Sequence, residues 1–346
     1  MKPCSFIDFL RGWGEHTPPR LRYTDAEDFA VWQSQFREKI LDLLGPVPDR
    51  VEPAVDWVET VEEPDHTRYL LRIPVSAFSV LPAYLLAPRD LKPGENRPGL
   101  LASHGHARRG MENLCGIGNG REPVDEGRAY ALSAVRSGYV VMVPGWWGWP
   151  GRDGHVDRIG NRDKCNVIQM AASMYGISVL ALHIQDAGAA LDVLASWNGV
   201  DGDRIGCLGN SYGGRTAMWY TVFDNRIKAC VSSGAMNTFR ERSLKLSSCG
   251  IQYPPGILRY GDVPEIYSLI APRPLQLQTG EGDALITPSD RDHIEATVRR
   301  AYTLLGSEDR FSTVFHGDGH RLLWEHAAPF FRHHLRDPAR GKERAE

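Results

Sequence analysis

The chain has 346 residues, 42% of them hydrophobic and 24% charged, with a formal net charge of −3. That balance is ordinary for a folded globular protein, and without a basic excess it points to no nucleic-acid or membrane partner. Six cysteines are too few for a disulfide scaffold, and no pair is spaced as the C-x-x-C of a zinc site.

Residues 1–21 contain no basic patch followed by an apolar run. No secretory leader is read there, and a cytoplasmic location is expected. A helix should open at Asp25-Ala26-Glu27-Asp28 and run to Leu44, where Pro46 and Pro48 stop it. Residues 55–88 alternate in polarity around turn signals such as Glu63-Pro64-Asp65, which fits two or three antiparallel strands.

From Pro98 onward short apolar runs alternate with helix-like segments. Strands are expected at 99–103, 139–143, 205–208, 229–232, 275–279 and 312–315. Helices are expected at 126–137, 177–195, 213–223, 288–305 and 322–335. This alternation predicts an α/β fold: a mostly parallel central sheet with an antiparallel N-terminal edge and helices on both faces. The segment from 177 to 197 is the most apolar, but His183, Gln185, Asp186 and Asp192 make it a buried helix, not a membrane span. Cys207 and Cys230 fall in strands and should act as small core hydrophobes. A bridge involving Cys115, Cys165 or Cys249 stays open. Residues 237–260, rich in Ser and Pro, read as an irregular cap loop. The expected organisation is a helical extension over 1–54, a catalytic domain over 55–336 and a charged, disordered tail over 337–346.

The chemistry is carried by Gly209-Asn210-Ser211-Tyr212-Gly213. It reads G-x-S-x-G, a nucleophile elbow in which a serine is displayed on a turn too tight for bulky neighbours. With 35 glycines in the chain the pattern alone is weak. Its context is what matters: a buried strand precedes it and a helix-compatible run follows. In an open parallel sheet reactive groups collect beyond the carboxyl ends of the strands. Asp283 and His320 occupy such positions, and the order Ser, Asp, His is the order of hydrolases with this sheet. Ser211 would attack, His320 would take its proton, and Asp283 would orient the imidazole. Glu281 is the alternative acid and His316 the alternative base. The backbone N–H groups of His106, in the loop after strand 99–103, and of Tyr212 are expected to form the oxyanion hole.

Several segments together resemble the dienelactone hydrolase and acetyl xylan esterase-like group of α/β-hydrolases. They are His104-Gly105-His106, Gly138-Tyr139-Val140-Val141 running into Pro144-Gly145-Trp146, and Gly206-Cys207-Leu208-Gly209-Asn210-Ser211-Tyr212-Gly213-Gly214. Ile270-Ala271-Pro272-Arg273-Pro274 and Gly319-His320-Arg321 complete them. The resemblance spans roughly residues 50–335. It implies a small-molecule ester as substrate, an acyl-enzyme on a Ser211–Asp283–His320 triad and no cofactor. His104 and His106 have a spacing that occurs in metal sites, but no carboxylate cluster lies near them in sequence, so no metal is expected. Many relatives carry an Asp after the second parallel strand, where this chain has Pro144-Gly145-Trp146-Trp147. The substrate wall is therefore expected to differ.

His104, Trp146, Trp147 and Arg152 are the expected substrate-lining residues, with core packing as the other reading for the tryptophans. The expected activity is short-chain acyl or acetyl ester hydrolysis, on acetylated carbohydrate in one version. A lactone hydrolase and a non-catalytic ligand-binding protein of the same fold are the alternatives. Oligomeric state is not readable from the chain.

Overall fold

A computed structural model of the protein describes residues 5–23, 28–118, 128–152, 163–247 and 249–335. The expected helix opening at Asp25-Ala26-Glu27, the start of the helix at 126–137 and the tail at 337–346 lie outside the described residues.

The N-terminal alternation becomes three strands, β1 (Asp56–Glu62), β2 (His66–Ser76) and β3 (Ser79–Pro88). They pair antiparallel in sequence. β4 (Arg97–Ser103), β5 (Val140–Pro144), β6 (Val200–Asn210), β7 (Ile227–Ser233), β8 (Leu275–Gly280) and β9 (Phe311–His316) follow. The described strands form one sheet in the order β1-β2-β3-β5-β4-β6-β7-β8-β9. β3 joins β5 antiparallel, and every later pairing is parallel. All residues of β5, and Ile205–Gly209 within β6, are buried, because helices cover both faces.

Each face has its own core. On one side α3 (Met111–Leu114), α4 (Tyr130–Arg136) and α11 (Trp324–His334) pack on the sheet through residues such as Met111, Val135 and Phe331. On the other lie α2 (Phe29–Leu44), α6 (Val179–Ser196), α7 (Tyr212–Phe223), α9 (Val263–Ser268) and α10 (Pro288–Leu304). α2 begins at Asp28, whose carboxylate accepts the N–H groups of Ala30 and Val31. Its buried residues Phe29, Trp32, Phe36, Ile40 and Leu44 recur at helical spacing and join the main core. Burying each of these large side chains contributes roughly 1.5–3 kcal/mol. α6 is the one described helix long and apolar enough to cross a membrane. Here it lies in the core, with Leu180, Ala190 and Leu194 fully buried.

Three details depart from the sequence reading. The described residues of 237–260 are not wholly irregular. They carry α8 (Phe239–Leu244) and two single 3-10 turns, Gly250–Gln252 and Ile257–Arg259. Thr238 caps α8 by accepting the Glu241 N–H at 3.1 Å, and Phe239, Ile251 and Ile257 anchor the segment in the core. Elements this short leave too few apolar repeats to be read from periodicity. α5 (Lys164–Ser173), capped by Asp163, is a further helix the sequence reading missed. β6 starts at Val200, five residues before the apolar run that marked it, because residues 201–204 of the strand are polar or glycine.

Candidate active site

Ser211 sits between β6 and α7 with φ 63° and ψ −123°. It is one of two described non-glycine residues with positive φ, and such a conformation costs on the order of 1–3 kcal/mol. The neighbourhood enforces it. The Ser211 N–H donates to Ser233 O at 2.8 Å, and Ser211 O accepts from the Arg215 N–H at 3.0 Å. The flanking glycines are steric requirements: a Cβ on Gly209 would lie 2.2 Å from Gly213 O, and one on Gly213 would lie 2.0 Å from Ser103 O. The buried Tyr130 hydroxyl donates to Ser103 O at 2.5 Å and accepts the Asn210 N–H at 3.3 Å, which ties β4 to the elbow.

Asp283 and His320 meet beside this turn. His320 Nδ1 lies 2.6 Å from Asp283 Oδ2. A carboxylate can only accept, so Nδ1 carries the proton and Nε2 presents a lone pair. The Asp283 side chain is 1% exposed, and its other oxygen accepts the Leu285 N–H at 2.9 Å. His320 Nε2 has no hydrogen-bond partner among the described residues. The ring borders Gly234, where an added Cβ would approach His320 Cε1 and Asn210 Oδ1 to 2.8 Å each. Gly234 follows the Ser233 carbonyl that holds the Ser211 amide, so imidazole and serine both border the same short stretch. His316, the alternative base, ends β9 with both ring nitrogens buried and without a hydrogen-bond partner among the described residues, and burial pushes its pKa down. Glu281, the alternative acid, is exposed.

The loop after β4 approaches the elbow closely: a Cβ on Gly105 would be 2.9 Å from Asn210 O and 3.2 Å from Ser211 Cβ. The His106 ring packs on Tyr212 with centroids 5.2 Å apart and on Trp149 at 5.5 Å. No described residue accepts a hydrogen bond from the backbone N–H of His106 or Tyr212. A cavity of about 200 Å³ opens here, lined by Ser211, Tyr212, His106, Arg215, Asn237 and Cys249 among others. Arg215 is 1% exposed; its Nη2 donates to the Asn237 carbonyl and side chain, while Nε and Nη1 lack partners among the described residues. A larger, mostly apolar cleft of about 410 Å³ lies between α1 (Phe6–His16) and α8, and it shares Arg242 with the Ser211 cavity.

The expected substrate wall is corrected by burial. None of His104, Trp146, Trp147 and Arg152 lines the Ser211 cavity. They form the layer behind it. His104 and Trp146 are fully buried. His104 Nδ1–H donates to Gly105 O at 2.9 Å and Nε2 accepts the Trp146 N–H at 3.4 Å, a neutral imidazole whose pKa burial pushes down to about 4. Trp147 N–H donates to His183 Nε2 at 3.2 Å, and His183 Nδ1–H donates to the Tyr212 hydroxyl at 2.5 Å. Arg152 is buried as well. It forms a buried ion pair with Asp186 and stacks over Trp147, 3.6 Å from the ring centroid. The sequence signal missed was Asp186 itself, a carboxylate in an apolar helix that demands a cationic partner.

Of the cysteines, Cys207 and Cys230 are fully buried in β6 and β7, as expected of small core hydrophobes. Cys115, Cys165 and Cys249 are free thiols. Cys165 and Cys249 converge on His106, an arrangement no spacing in the sequence announces. The hydrogen bond from Cys249 and the neighbouring His106 hold the Cys165 thiol below its usual range.

The sheet order, the antiparallel edge and a strained serine between strand and helix define the α/β-hydrolase fold. Similarity to known proteins agrees with that class. No protein-family model matches the chain. In sequence it is 28% identical over 297 residues to YtaP of Bacillus subtilis (strain 168), provisionally named a hydrolase, covering 83% of this chain and 94% of that one. In structure it is similar to a Bacteroides fragilis NCTC 9343 protein provisionally named an acetyl xylan esterase, with TM-score 0.75, 20% identity and coverage of 91% and 83%. It is also similar to a glucuronoyl esterase from Solibacter usitatus, with TM-score 0.65, 16% identity and coverage of 91% and 97%. A third, a glucuronoyl esterase of carbohydrate esterase family 15 from Teredinibacter turnerae T7901, gives 0.63, 17%, and coverage of 92% and 90%.

Proposed function

We propose that the protein is a serine carboxylic-ester hydrolase, with Ser211 as nucleophile, His320 as general base and acid, and Asp283 as the group that orients it. The observation that carries this reading is the strained Ser211 beside a His320–Asp283 pair whose Nε2 is unspent. The Ser211 proton passes to His320 Nε2 as Oγ attacks the ester carbonyl. The resulting oxyanion is met by the backbone N–H groups of His106 and Tyr212, each worth roughly 3–4 kcal/mol at the transition state. His320 then protonates the leaving alkoxide, and an acyl-serine remains. Water, deprotonated by the same nitrogen, attacks the acyl carbon; collapse frees the acid and returns the proton to Ser211.

The substrate class we assign is a short acyl ester borne on a carbohydrate. Three things support it. The cavity at Ser211 is small, about 200 Å³. It is bordered by Arg215 and Arg242, the carboxylate of Asp163 and the amide of Asn237, a polar lining that suits an oxygen-rich substrate better than a long aliphatic chain. One of the solved structures it resembles is named for the acetyl ester of a carbohydrate, xylan.

The test is hydrolysis of p-nitrophenyl esters from acetate to octanoate, followed by acetylated xylo-oligosaccharides, with wild type and Ser211→Ala in parallel. Acetate-preferring turnover lost in the variant is expected. Turnover retained by a folded Ser211→Ala protein would exclude this assignment.

A further inference from the structure

Three segments distant in sequence bring soft ligand atoms together beside the Ser211 cavity. His106 Nε2, from the loop after β4, lies 3.3 Å from Cys249 Sγ and 3.5 Å from Cys165 Sγ. The three donor atoms all lie within 4.8 Å of one another. Cys165, in the first turn of α5, is 5% exposed, and Cys249, before the Gly250–Gln252 turn, is 9% exposed. The two cysteine-bearing segments are fixed to each other, since the Gly250 N–H donates to Asn166 Oδ1 at 2.7 Å. None of the three side chains has a part in the proposed ester chemistry; from His106 that chemistry uses only the backbone N–H.

The distances suit a shared metal ion as well as they suit thiol–imidazole hydrogen bonds. Zinc holds thiolate sulfur at about 2.3 Å and imidazole nitrogen at about 2.0–2.1 Å with tetrahedral angles, so bound N and S atoms stand about 3.5–3.6 Å apart. Both His106–cysteine distances lie close to that separation. One imidazole and two thiols, without a carboxylate among them, favour zinc or a similar thiophilic ion over magnesium or calcium.

We propose that His106 Nε2, Cys165 Sγ and Cys249 Sγ form a binding site for a thiophilic divalent cation of the zinc type, which clips the His106 loop to α5 and to the Cys249 turn. Binding releases both thiol protons to solvent, and the two thiolates balance the charge of the ion. Water completes a four-coordinate shell. His106 and Cys249 also border the cavity of Ser211, so the clip would fix the loop that carries one oxyanion donor.

The experiment uses the full chain, reduced and stripped with a chelator, then titrated with cobalt(II) and afterwards with zinc. Thiolate-to-cobalt charge-transfer absorption reports the ligands, and equilibrium dialysis with elemental analysis gives the stoichiometry. One ion per chain is expected, with the cobalt band bleached by zinc. Cys165→Ser and Cys249→Ser should each abolish the band while circular dichroism shows a folded protein. Ser211→Ala should bind as wild type does, which separates this result from the fate of the esterase reading. A folded, reduced wild type that takes up neither ion would overturn the proposal. So would a band that survives in both cysteine variants. Peptide mapping that finds Cys165 and Cys249 joined as a disulfide, in protein whose reduced form ignores both ions, would assign the pair a redox role instead and overturn the metal site.

Discussion

Asp283 Oδ2 and His320 Nδ1 stand 2.6 Å apart, the carboxylate buried and the imidazole 30% exposed. This pairing fixes which imidazole nitrogen carries the proton and leaves Nε2 free. Asp283→Asn would keep the shape but lets the amide N–H face Nδ1, favouring the wrong tautomer. A fall in kcat of roughly 10³–10⁴-fold is expected, with little change in thermal unfolding. Steady-state ester hydrolysis by the folded variant checks it; activity within a few-fold of wild type would remove Asp283 from the mechanism.

Ser211 can be dissected into chemistry and strain. Both Ser211→Ala and Ser211→Gly should abolish turnover. Only glycine relieves the φ of 63°. The glycine variant should therefore be more stable than the alanine variant by about 1 kcal/mol in urea unfolding. Equal stabilities would show that the turn is relaxed.

Arg152 and Asp186 form an ion pair with both side chains 2% exposed. Burial pushes the Asp186 pKa up even with the guanidinium beside it. Arg152→Met would leave that carboxylate unpaired in the core, at a cost of about 3–5 kcal/mol. The double variant Arg152→Met with Asp186→Leu should recover most of this loss. Chemical denaturation of the three proteins measures it; a single variant as stable as wild type would contradict the buried pair.

The buried, neutral His104 predicts a pH dependence of stability. Its pKa lies near 4 in the folded protein against 6.5 for a free imidazole. Between those values the unfolded chain binds a proton that the folded protein does not, so stability rises with pH across the window. The contribution is complete above pH 6.5 and is lost as pH falls towards 4. His183, also pushed down by burial, acts in the same direction. One proton corresponds to a slope of about 1.4 kcal/mol per pH unit, and His104→Asn should flatten the unfolding profile by up to that amount. An unchanged slope would mean that His104 is protonated in the fold.

The alternation of apolar runs and the G-x-S-x-G turn were enough to determine the sheet. Each of the six later strands carries its signal within a few consecutive residues, as at β5, which is buried throughout. The order Ser211, Asp283, His320 is likewise linear information; in the structure Asp283 pairs with His320, whose ring borders Gly234. The tertiary structure decided what local patterns cannot carry. Trp146 and His104 face inward because helices close over them, and whether a tryptophan faces ligand or core depends on elements far along the chain. Arg152 is buried only because α6 presents Asp186 to it, 34 residues away. His106, Cys165 and Cys249 become neighbours only when β4, α5 and the Gly250 turn are packed, 59 and 143 residues of separation closing to hydrogen-bond distance. Periodicity and motif spacing report contacts along one element, whereas the second layer of a site is built from contacts between elements, which the chain acquires only on folding.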